Sequence, residues 1–271
     1  MTTRNFVRSV LTRMMSPDQL ALTGRRLRTV QALIHSKDCV KLSAIFGSDK
    51  WGDHWYAQHY NRHFAALRRK RLIVLEIGVG GYADPNDGGA SLRLWKRFFH
   101  RGKIVGIDTC DKHAIDEHRI KTYQGSQDDA EFLQRVVADM GRPDIVIDDG
   151  SHRNDDVIAT FQVLFPLLKD NGIYVVEDMQ TSYLPSFGGR TGRTMDEQTT
   201  MGFFRSLTDG LNYSEYLVSG DTPSYLDQHI VSMHFYHNLV FIYKGLNDEA
   251  SSNRPGDVKS CRSTRASWEA R

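Results

Sequence analysis

The chain has 271 residues, of which 40% are hydrophobic and 25% are Asp, Glu, Lys or Arg, a composition typical of a soluble globular protein. The 35 Lys and Arg against 33 Asp and Glu leave a net charge of +2, which disfavours a nucleic-acid binder that relies on phosphate neutralisation. No apolar run approaches the ~18–20 residues that span a bilayer, and the N-terminus lacks the apolar stretch of a secretory signal. The three cysteines are scattered and build neither a disulfide framework nor a zinc site. We therefore expect a reduced, cytoplasmic protein without stable membrane insertion.

The two ends of the chain differ in composition from its middle. Residues 1–45 are rich in arginine and carry apolar residues at helical spacing, which predicts an N-terminal helical segment. Because such amphipathic helices need something to cover them, we expect a homo-oligomer, with a membrane or polyanion contact as the alternative. Residues 247–271 are dominated by Ser, Arg, Asn and Gly and predict a disordered tail. Residues 46–246 form one predicted domain between these ends.

That middle region alternates between short apolar runs and stretches of helical spacing. The runs predict strands at 72–77, 104–107, 144–147 and 173–176, and the spacing predicts helices at 91–99, 128–140 and 157–169. Alternation of this kind predicts an α/β fold with a Rossmann-like, mostly parallel sheet of seven strands and helices on both faces. The β-rich runs 230–235 and 239–243 predict a terminal antiparallel hairpin.

Each of the four runs in the middle ends on or beside an acidic residue. These residues are Glu76, Asp108, Asp149 and Glu177. Ligands of open parallel sheets bind at the carboxyl ends of the strands, so these four acids indicate a functional edge.

A glycine-rich turn, Gly78-Val79-Gly80, follows the first strand. It fits the loose dinucleotide fingerprint, but the acidic loop at 84–89 separates it from the next helix and suits a pyrophosphate poorly. A ligand without phosphates fits better. Asp108 is placed to accept the ribose hydroxyls of a nucleoside, or to cap a helix. Residues 126–128 are placed either to meet an adenine edge or to cap the next helix.

The acids after the predicted strands 144–147 and 173–176 indicate a metal site. Asp149, Glu177 and Asp178 can offer three carboxylate oxygens, which suit Mg²⁺ or Mn²⁺. An ion that chelates two vicinal oxygens lowers the pKa of a substrate hydroxyl, and His152 is then placed as the general base. The alternative is that these acids cap helices or pair with Arg and Lys, and that His152 is a structural surface histidine.

Together, the acidic residue before the glycines, the acid after the second strand and the terminal hairpin resemble the class I S-adenosylmethionine-dependent methyltransferases. Five motifs in order narrow this resemblance to the metal-dependent sugar O-methyltransferases over about residues 45–245. They are GSDKWGDHWY from Gly47, LEIGVGGY, GGASLRLW, IDDGSH and VVEDMQTSY. The family includes enzymes that methylate rhamnose-like or 6-deoxyhexose units of macrolides and polyketides, and mycobacterial relatives that act on polysaccharide or glycolipid sugars.

The resemblance implies a set of roles for residues of this chain. The residues implied for the cofactor S-adenosylmethionine are Tyr56, Glu76, Gly78, Gly80, Asp108, Ser126, Gln127, Asp128 and Asp148. It implies Mg²⁺ on Asp149, Glu177 and Asp178, with His152 as the base. The segment Gly47–Tyr60 is similar to the one that closes over the cofactor. The implied acceptor is a hydroxyl of a rhamnose-like or mannose-like sugar, on a small molecule or an oligosaccharide.

The glycine-rich segment 180–202 follows the predicted ligands directly. It is expected to act as a mobile substrate lid, with Tyr183, Arg190 and Arg193 as candidates for sugar contact. A merely flexible surface loop is the equal alternative.

Three other functions compete with sugar methylation. A catechol-type O-methyltransferase would use the same ion, and only the order of the motifs favours sugar. A nicotinamide-dependent oxidoreductase is disfavoured by the acidic loop and the terminal hairpin. A non-catalytic adaptor would be expected to lose the metal residues or His152, and this sequence keeps both.

Overall fold

The computed structural model describes residues 16–193, 195–216 and 222–251. In that part of the chain the strands are β1 (Ile73–Ile77), β2 (Lys103–Asp108), β3 (Ile120–Gln124), β4 (Ile145–Asp148), β5 (Ile173–Val176), β6 (Ile230–Tyr236) and β7 (Leu239–Lys244). The α-helices are α1 (Pro17–Ile34), α2 (Cys39–Phe46), α3 (Ala57–Phe64), α4 (Ala90–Phe98), α5 (Ala130–Met140), α6 (Asn154–Leu167), α7 (Thr200–Ser206), α8 (Tyr213–Tyr216) and α9 (Tyr225–His229).

The strands form one sheet in the order β3-β2-β1-β4-β5-β7-β6. Strands β1 to β5 are parallel, β7 runs antiparallel to β5, and β6 and β7 form the antiparallel hairpin. The predicted fold class is confirmed. The strand order reverses between β1 and β4, and this switch point opens a crevice at the carboxyl ends of the strands.

Two helices begin more than one residue away from the predicted start, for physical reasons. Helix α5 begins two residues later than predicted because the side chain of Asp129 accepts a hydrogen bond from Phe132 N and caps it. Helix α6 begins three residues earlier because its first turn carries Asp155 and Asp156, which complement the positive end of the helix dipole. The spacing of apolar residues does not reveal a first turn that is made of polar residues, so the predicted helix begins too late.

The two faces of the sheet are covered by different helices. On one face α2, α3 and α4 pack an aromatic core that includes Tyr60, Phe64, Trp95 and Phe241. On the other face α5, α6 and α7 pack against the second set of inward-facing side chains. The face under α3 and α4 matters for function, because it also receives the side chain of Glu76, which is fully buried.

The N-terminal segment begins at a capping box formed by Ser16 and Gln19. Helix α1 leaves apolar side chains in solvent, with exposed fractions of 57% at Leu27 and 70% at Ile34. The predicted helical segment is thus helical from Pro17, and its first 15 residues lie outside the described part of the chain. So does most of the tail predicted at 247–271. Among the described helices, none combines the length and the apolar character needed to cross a bilayer.

Candidate active site

A cavity of about 170 Å³ opens at the carboxyl ends of β1, β2, β3 and β4. Four residues predicted for the cofactor line it: Gly78, Asp108, Ser126 and Gln127. None of its lining residues is a lysine or arginine. A cavity without cations suits a ligand that carries no phosphates.

Close contact between the β1 and β4 loops depends on a glycine. Gly78 has a φ of +87°, and a Cβ built on it would lie 2.0 Å from the carbonyl oxygen of Asp149. Gly150 fills a similar place, since its Cβ would lie 2.1 Å from Gln127 Oε1. Gly78 thus lets the β1 and β4 loops approach each other, and Gly150 lets the β4 loop approach Gln127 in the β3 loop.

Asp108 is held at the cavity wall by backbone donors. Val79 N donates to its Oδ2 at 3.0 Å, and Cys110 N donates to its Oδ1 at 2.8 Å. These bonds orient the carboxylate toward the loops of β1 and β2, and it caps no α-helix.

Gln127 ties the β3 loop to the end of β4. Its Nε2 donates to Asp148 Oδ1 at 3.2 Å, and its Oε1 accepts from Ser151 N at 2.7 Å. Burial raises the pKa of Asp148 to about 7, although hydrogen bonds from Gln127 and Tyr174 oppose that rise. Asp148 therefore lies behind the cavity wall as part of its frame.

The other residues predicted for the cofactor lie apart from the cavity lining. Gly80 and Asp128 are exposed, and a Cβ on Gly80 would meet nothing within 4 Å. Tyr56 is buried and its hydroxyl donates to Asp178, and Glu76 lies within the acidic cluster described next. Their cofactor contacts stay predictions.

A buried lysine joins three acidic side chains at the ends of β1, β4 and β5. Lys50 Nζ lies 2.7 Å from Asp149 Oδ2, 2.7 Å from Glu177 Oε1 and 3.4 Å from Glu76 Oε1. Burial alone would lower the pKa of Lys50, but the three carboxylates outweigh it and hold that pKa well above its usual value. We call these four residues the Lys50 cluster.

The acids of the Lys50 cluster are themselves shifted by burial. Burial raises the pKa of Glu76 to about 7, with Lys50 opposing the rise. Burial also raises the pKa of Asp149 and, with the nearby charge of Asp149, that of Glu177. Tyr60 OH donates to Glu177 Oε1, the same oxygen that Lys50 binds. The hydrogen bonds of Lys50 and Tyr60 oppose the rise in the pKa of Glu177 but do not cancel it.

Asp178 lies outside the Lys50 cluster, and its pKa is lowered rather than raised. Burial would raise its pKa, but a hydrogen bond from Tyr56 OH at 2.6 Å and the nearby rings of His152 and His54 lower it. His152 Nε2 lies 3.5 Å from Asp178 Oδ2 and 4.0 Å from Asp149 Oδ1. The histidine therefore sits between two carboxylates.

The ligand-type atoms of Asp149, His152 and Asp178 all lie within 4.8 Å of one another, close enough to share one metal ion. Glu177 is not among these three residues, and Lys50 binds one of its oxygens. Carboxylate oxygens with one imidazole and no thiolate fit Mg²⁺ or Mn²⁺ in donor chemistry. The fold thus brings together two of the predicted ligands, Asp149 and Asp178, with the predicted base, and ion binding there stays a prediction.

The segment 180–202 is fastened at both ends by one buried side chain. Asn154 donates to Thr181 O at 3.2 Å and to Phe187 O at 2.8 Å, and accepts from Thr200 N at 2.6 Å. This bonding limits any lid motion to the part of the segment between Phe187 and Thr200.

Of the three residues predicted for sugar contact, Arg190 and Arg193 lie between Phe187 and Thr200, and Tyr183 lies before Phe187. Arg190 donates to Gly188 O at 3.0 Å and to Gln198 Oε1 at 2.9 Å, so its guanidinium holds the segment's own shape. Tyr183 is 37% exposed and Arg193 is exposed. Their contact with a sugar stays a prediction.

Lys50 and Tyr60 are site residues that sequence reasoning did not assign. Both lie in the segment Gly47–Tyr60, which is rich in aromatic residues. A lysine among aromatic residues was the available signal. No spacing rule links it to acids about 100 residues later, because the sheet topology alone brings them together.

The fold, with its strand reversal and acidic edge, is that of a class I methyltransferase. MycE methyltransferase from the mycinamycin pathway, solved in complex with Mg and SAH, superposes with a TM-score of 0.79 at 46% identity. The match covers 82% of this chain and 58% of that one. A second MycE structure, with Mg, SAH and mycinamycin VI, gives a TM-score of 0.77.

Curated relatives agree with this match. Mycinamicin VI 2''-O-methyltransferase of Micromonospora griseorubida is 48% identical over 214 residues, 78% of this chain and 54% of that protein. Demethylmacrocin O-methyltransferase of Streptomyces fradiae is 47% identical over the same length, with the same shares. A rhamnosyl-tetracenomycin-C 3'-O-methyltransferase of Streptomyces olivaceus is 42% identical over 232 residues, 83% of this chain and 60% of that protein. No protein-family model matches the chain.

The resemblance carried by the five motifs is thereby confirmed. Over the shared span this chain is a homologue of sugar O-methyltransferases that act on glycosylated natural products. It spans between 54% and 60% of the length of the three relatives above.

Proposed function

We propose that this chain is an S-adenosylmethionine- and Mg²⁺-dependent O-methyltransferase that acts on a sugar hydroxyl of a glycosylated small molecule. One observation carries the proposal. The cavity lined by Gly78 and Asp108 continues through Gly150 and Ser151, which lie in the chain between the metal-type residues Asp149 and His152. A nucleoside pocket and a cation site thus share one loop.

The cavity fits the nucleoside part of the cofactor. Asp108 offers a carboxylate that backbone N–H groups hold in place. Ser126 and Gln127 provide polar atoms in the cavity lining, and no lining residue is a lysine or arginine that would bind a phosphate. S-adenosylmethionine would supply the methyl group. The chain's part is to bind the nucleoside and hold it beside the acidic edge.

Asp149, Asp178 and Glu177 are the residues that would hold the divalent ion, which when bound supplies Lewis-acid activation of a chelated hydroxyl. His152 lies between Asp149 and Asp178 and takes the proton from the sugar hydroxyl in this proposal. The two carboxylates lie on either side of the ring nitrogen Nε2, at 3.5 and 4.0 Å. Tyr56, through its bond to Asp178, keeps one of them in place.

The sugar acceptor is supported by the relatives. Their names specify methylation at sugar positions of macrolides, of rhamnosyl-tetracenomycin and of L-olivosyl-oleandolide. Transfer of labelled methyl groups to rhamnosylated and 6-deoxyhexosylated acceptors tests the proposal, with catechol as the competing acceptor. Labelling of the sugar alone supports it, and labelling of catechol alone contradicts it.

We further propose that the chain forms a homo-oligomer through α1. The exposed side chains of Leu27, Val30, Leu33 and Ile34 favour a covering surface there. Light scattering coupled to size exclusion tests this proposal, and a monomer at all concentrations contradicts it. The cytoplasmic location stays a prediction from the cysteine pattern.

A further inference from the structure

The ammonium of Lys50 is fully buried beside the site, and the proposed chemistry gives it no task. Its side chain has no exposed surface and reaches three carboxylates from β1, β4 and β5. Burying a lysine costs free energy unless charged partners offset it, and here the three carboxylates do so.

Lys50 binds one oxygen of each of two predicted metal ligands. It takes Oδ2 of Asp149 and Oε1 of Glu177, both at 2.7 Å. The other oxygen of Asp149, Oδ1, is the one that faces His152. Each carboxylate therefore has one oxygen bound to the ammonium, while its second oxygen makes no bond to Lys50.

The local chain fixes the lysine before its side chain reaches the acids. Gly47 ends α2 with a φ of +74°, and the loop that follows returns to begin α3. The carbonyl of Lys50 accepts Ala57 N at 2.9 Å, at the start of α3. The backbone of Lys50 is thus anchored to a helix that packs on the sheet.

We propose that Lys50 is a positioning residue for the divalent-cation site, which orients Asp149 and Glu177 so that one oxygen of each is left for the ion. This inference rests on the proposed function, because it assumes that an ion binds at these acids. Lys50 touches neither substrate nor cofactor in this role. It also offsets the mutual repulsion of Asp149, Glu177 and Glu76 while no ion is bound.

A positioning role and a simple charge effect predict opposite results. Removing a cation beside a metal site makes the site more negative, which by Coulomb's law strengthens metal binding. Removing the residue that orients two ligands weakens metal binding. The sign of the change in metal affinity therefore separates the two.

The test is Mn²⁺ binding to the full chain, followed by the electron paramagnetic resonance signal of free Mn²⁺, without substrate or turnover. The variants are Lys50→Met and the double variant Lys50→Met with Glu76→Gln. Above pH 7, where Glu76 is ionised, the double variant removes one positive and one negative charge, so the net charge of the cluster is unchanged. Glu76 Oε1 has no hydrogen-bond partner, so its amide replacement breaks no further hydrogen bond at that atom.

Lys244→Met is the matched control. Lys244 is also buried, but its ammonium donates to the carbonyls of Phe165, Pro166 and Leu168 and to no carboxylate. This substitution should destabilise the protein, because it removes a buried lysine that is hydrogen-bonded. The Mn²⁺ affinity of the variant should stay within about twofold of that of the wild type.

The expected result is at least tenfold weaker Mn²⁺ binding in both Lys50 variants. Equal or tighter binding in the folded variants overturns the inference, and where the single variant does not fold, the charge-neutral double variant decides. Absence of Mn²⁺ binding by the wild type would instead contradict the proposed function. The two failures are therefore distinguishable.

Discussion

The Nε2 atom of His152 lies 3.5 Å from Oδ2 of Asp178. Both residues adopt left-handed backbone conformations, with φ of +57° at His152 and +52° at Asp178. Residues other than glycine adopt this region at a free-energy cost, and such residues cluster at functional sites. The two loops thus carry local strain at the point where the proposed base meets a proposed metal ligand.

Replacing His152 by Asn tests its role as the base. Asparagine tolerates the left-handed conformation, so the loop should keep its shape while the proton acceptor is lost. We expect turnover to fall at least 100-fold and the affinity for S-adenosylhomocysteine to stay within about twofold. Steady-state kinetics and calorimetry measure the two quantities, and a variant that keeps wild-type turnover would remove His152 as the base.

Replacing Gly78 by Ala tests the close approach of the β1 and β4 loops. A Cβ there would lie 2.0 Å from Asp149 O, so the loops must separate and the cavity must change shape. We expect loss of S-adenosylhomocysteine binding and destabilisation of at least about 2 kcal/mol. Urea unfolding and calorimetry measure these effects.

Gly80→Ala is the control for that substitution. Gly80 has a similar φ of +75°, but a Cβ there meets nothing within 4 Å. It should lose only the backbone cost of about 1–2 kcal/mol. Equal effects of the two substitutions on cofactor binding would contradict the steric explanation.

His63 makes stability depend on pH. Burial, together with nearby His234 and Arg62, lowers its pKa from 6.5 to about 4, and its ring bonds Tyr243 OH at 2.7 Å and Tyr236 OH at 2.9 Å. Between those two values the unfolded chain binds a proton that the folded chain does not. Stability from this group is therefore fully present above about pH 6.5 and is lost as the pH falls toward 4.

His63→Gln isolates that contribution, because glutamine can bond the tyrosines but does not titrate there. The free energy of unfolding of the wild type, relative to the variant, should fall by about 2 kcal/mol between pH 7.5 and 4.5, with allowance for solvent screening of a half-buried ring. Urea titrations across this range measure the difference. Parallel curves for the two proteins would show that His63 has no such role.

The sequence predicts most of the fold because periodicity and turn chemistry act locally. Strand β5 has the predicted bounds, and the other strands that were predicted differ by a residue at one end or both. The capping residue of α5 was not predicted correctly, because Asp129 caps this helix and no residue of the stretch 126–128 does. A run of polar residues before a helix does not show which one bonds the first turn.

The acidic edge could be predicted because parallel strands bring their carboxyl ends together. The buried side chains that bind those acids could not be predicted from the sequence. Lys50 and Tyr60 reach Glu177 from a segment more than 110 residues earlier, and only the packed position of α3 brings them there. The bonds of Arg190 within its own segment likewise depend on a loop conformation that no residue pattern specifies.

Isothermal calorimetry with S-adenosylhomocysteine and Mg²⁺ tests the central claim most directly, namely that a nucleoside pocket and a cation site share the β4 loop. We expect cofactor-product binding in the wild type that is lost in Asp108→Ala, and a Mg²⁺ heat that is lost in Asp149→Ala. Wild-type protein that binds neither ligand, or an Asp149→Ala variant that binds Mg²⁺ as the wild type does, would contradict it.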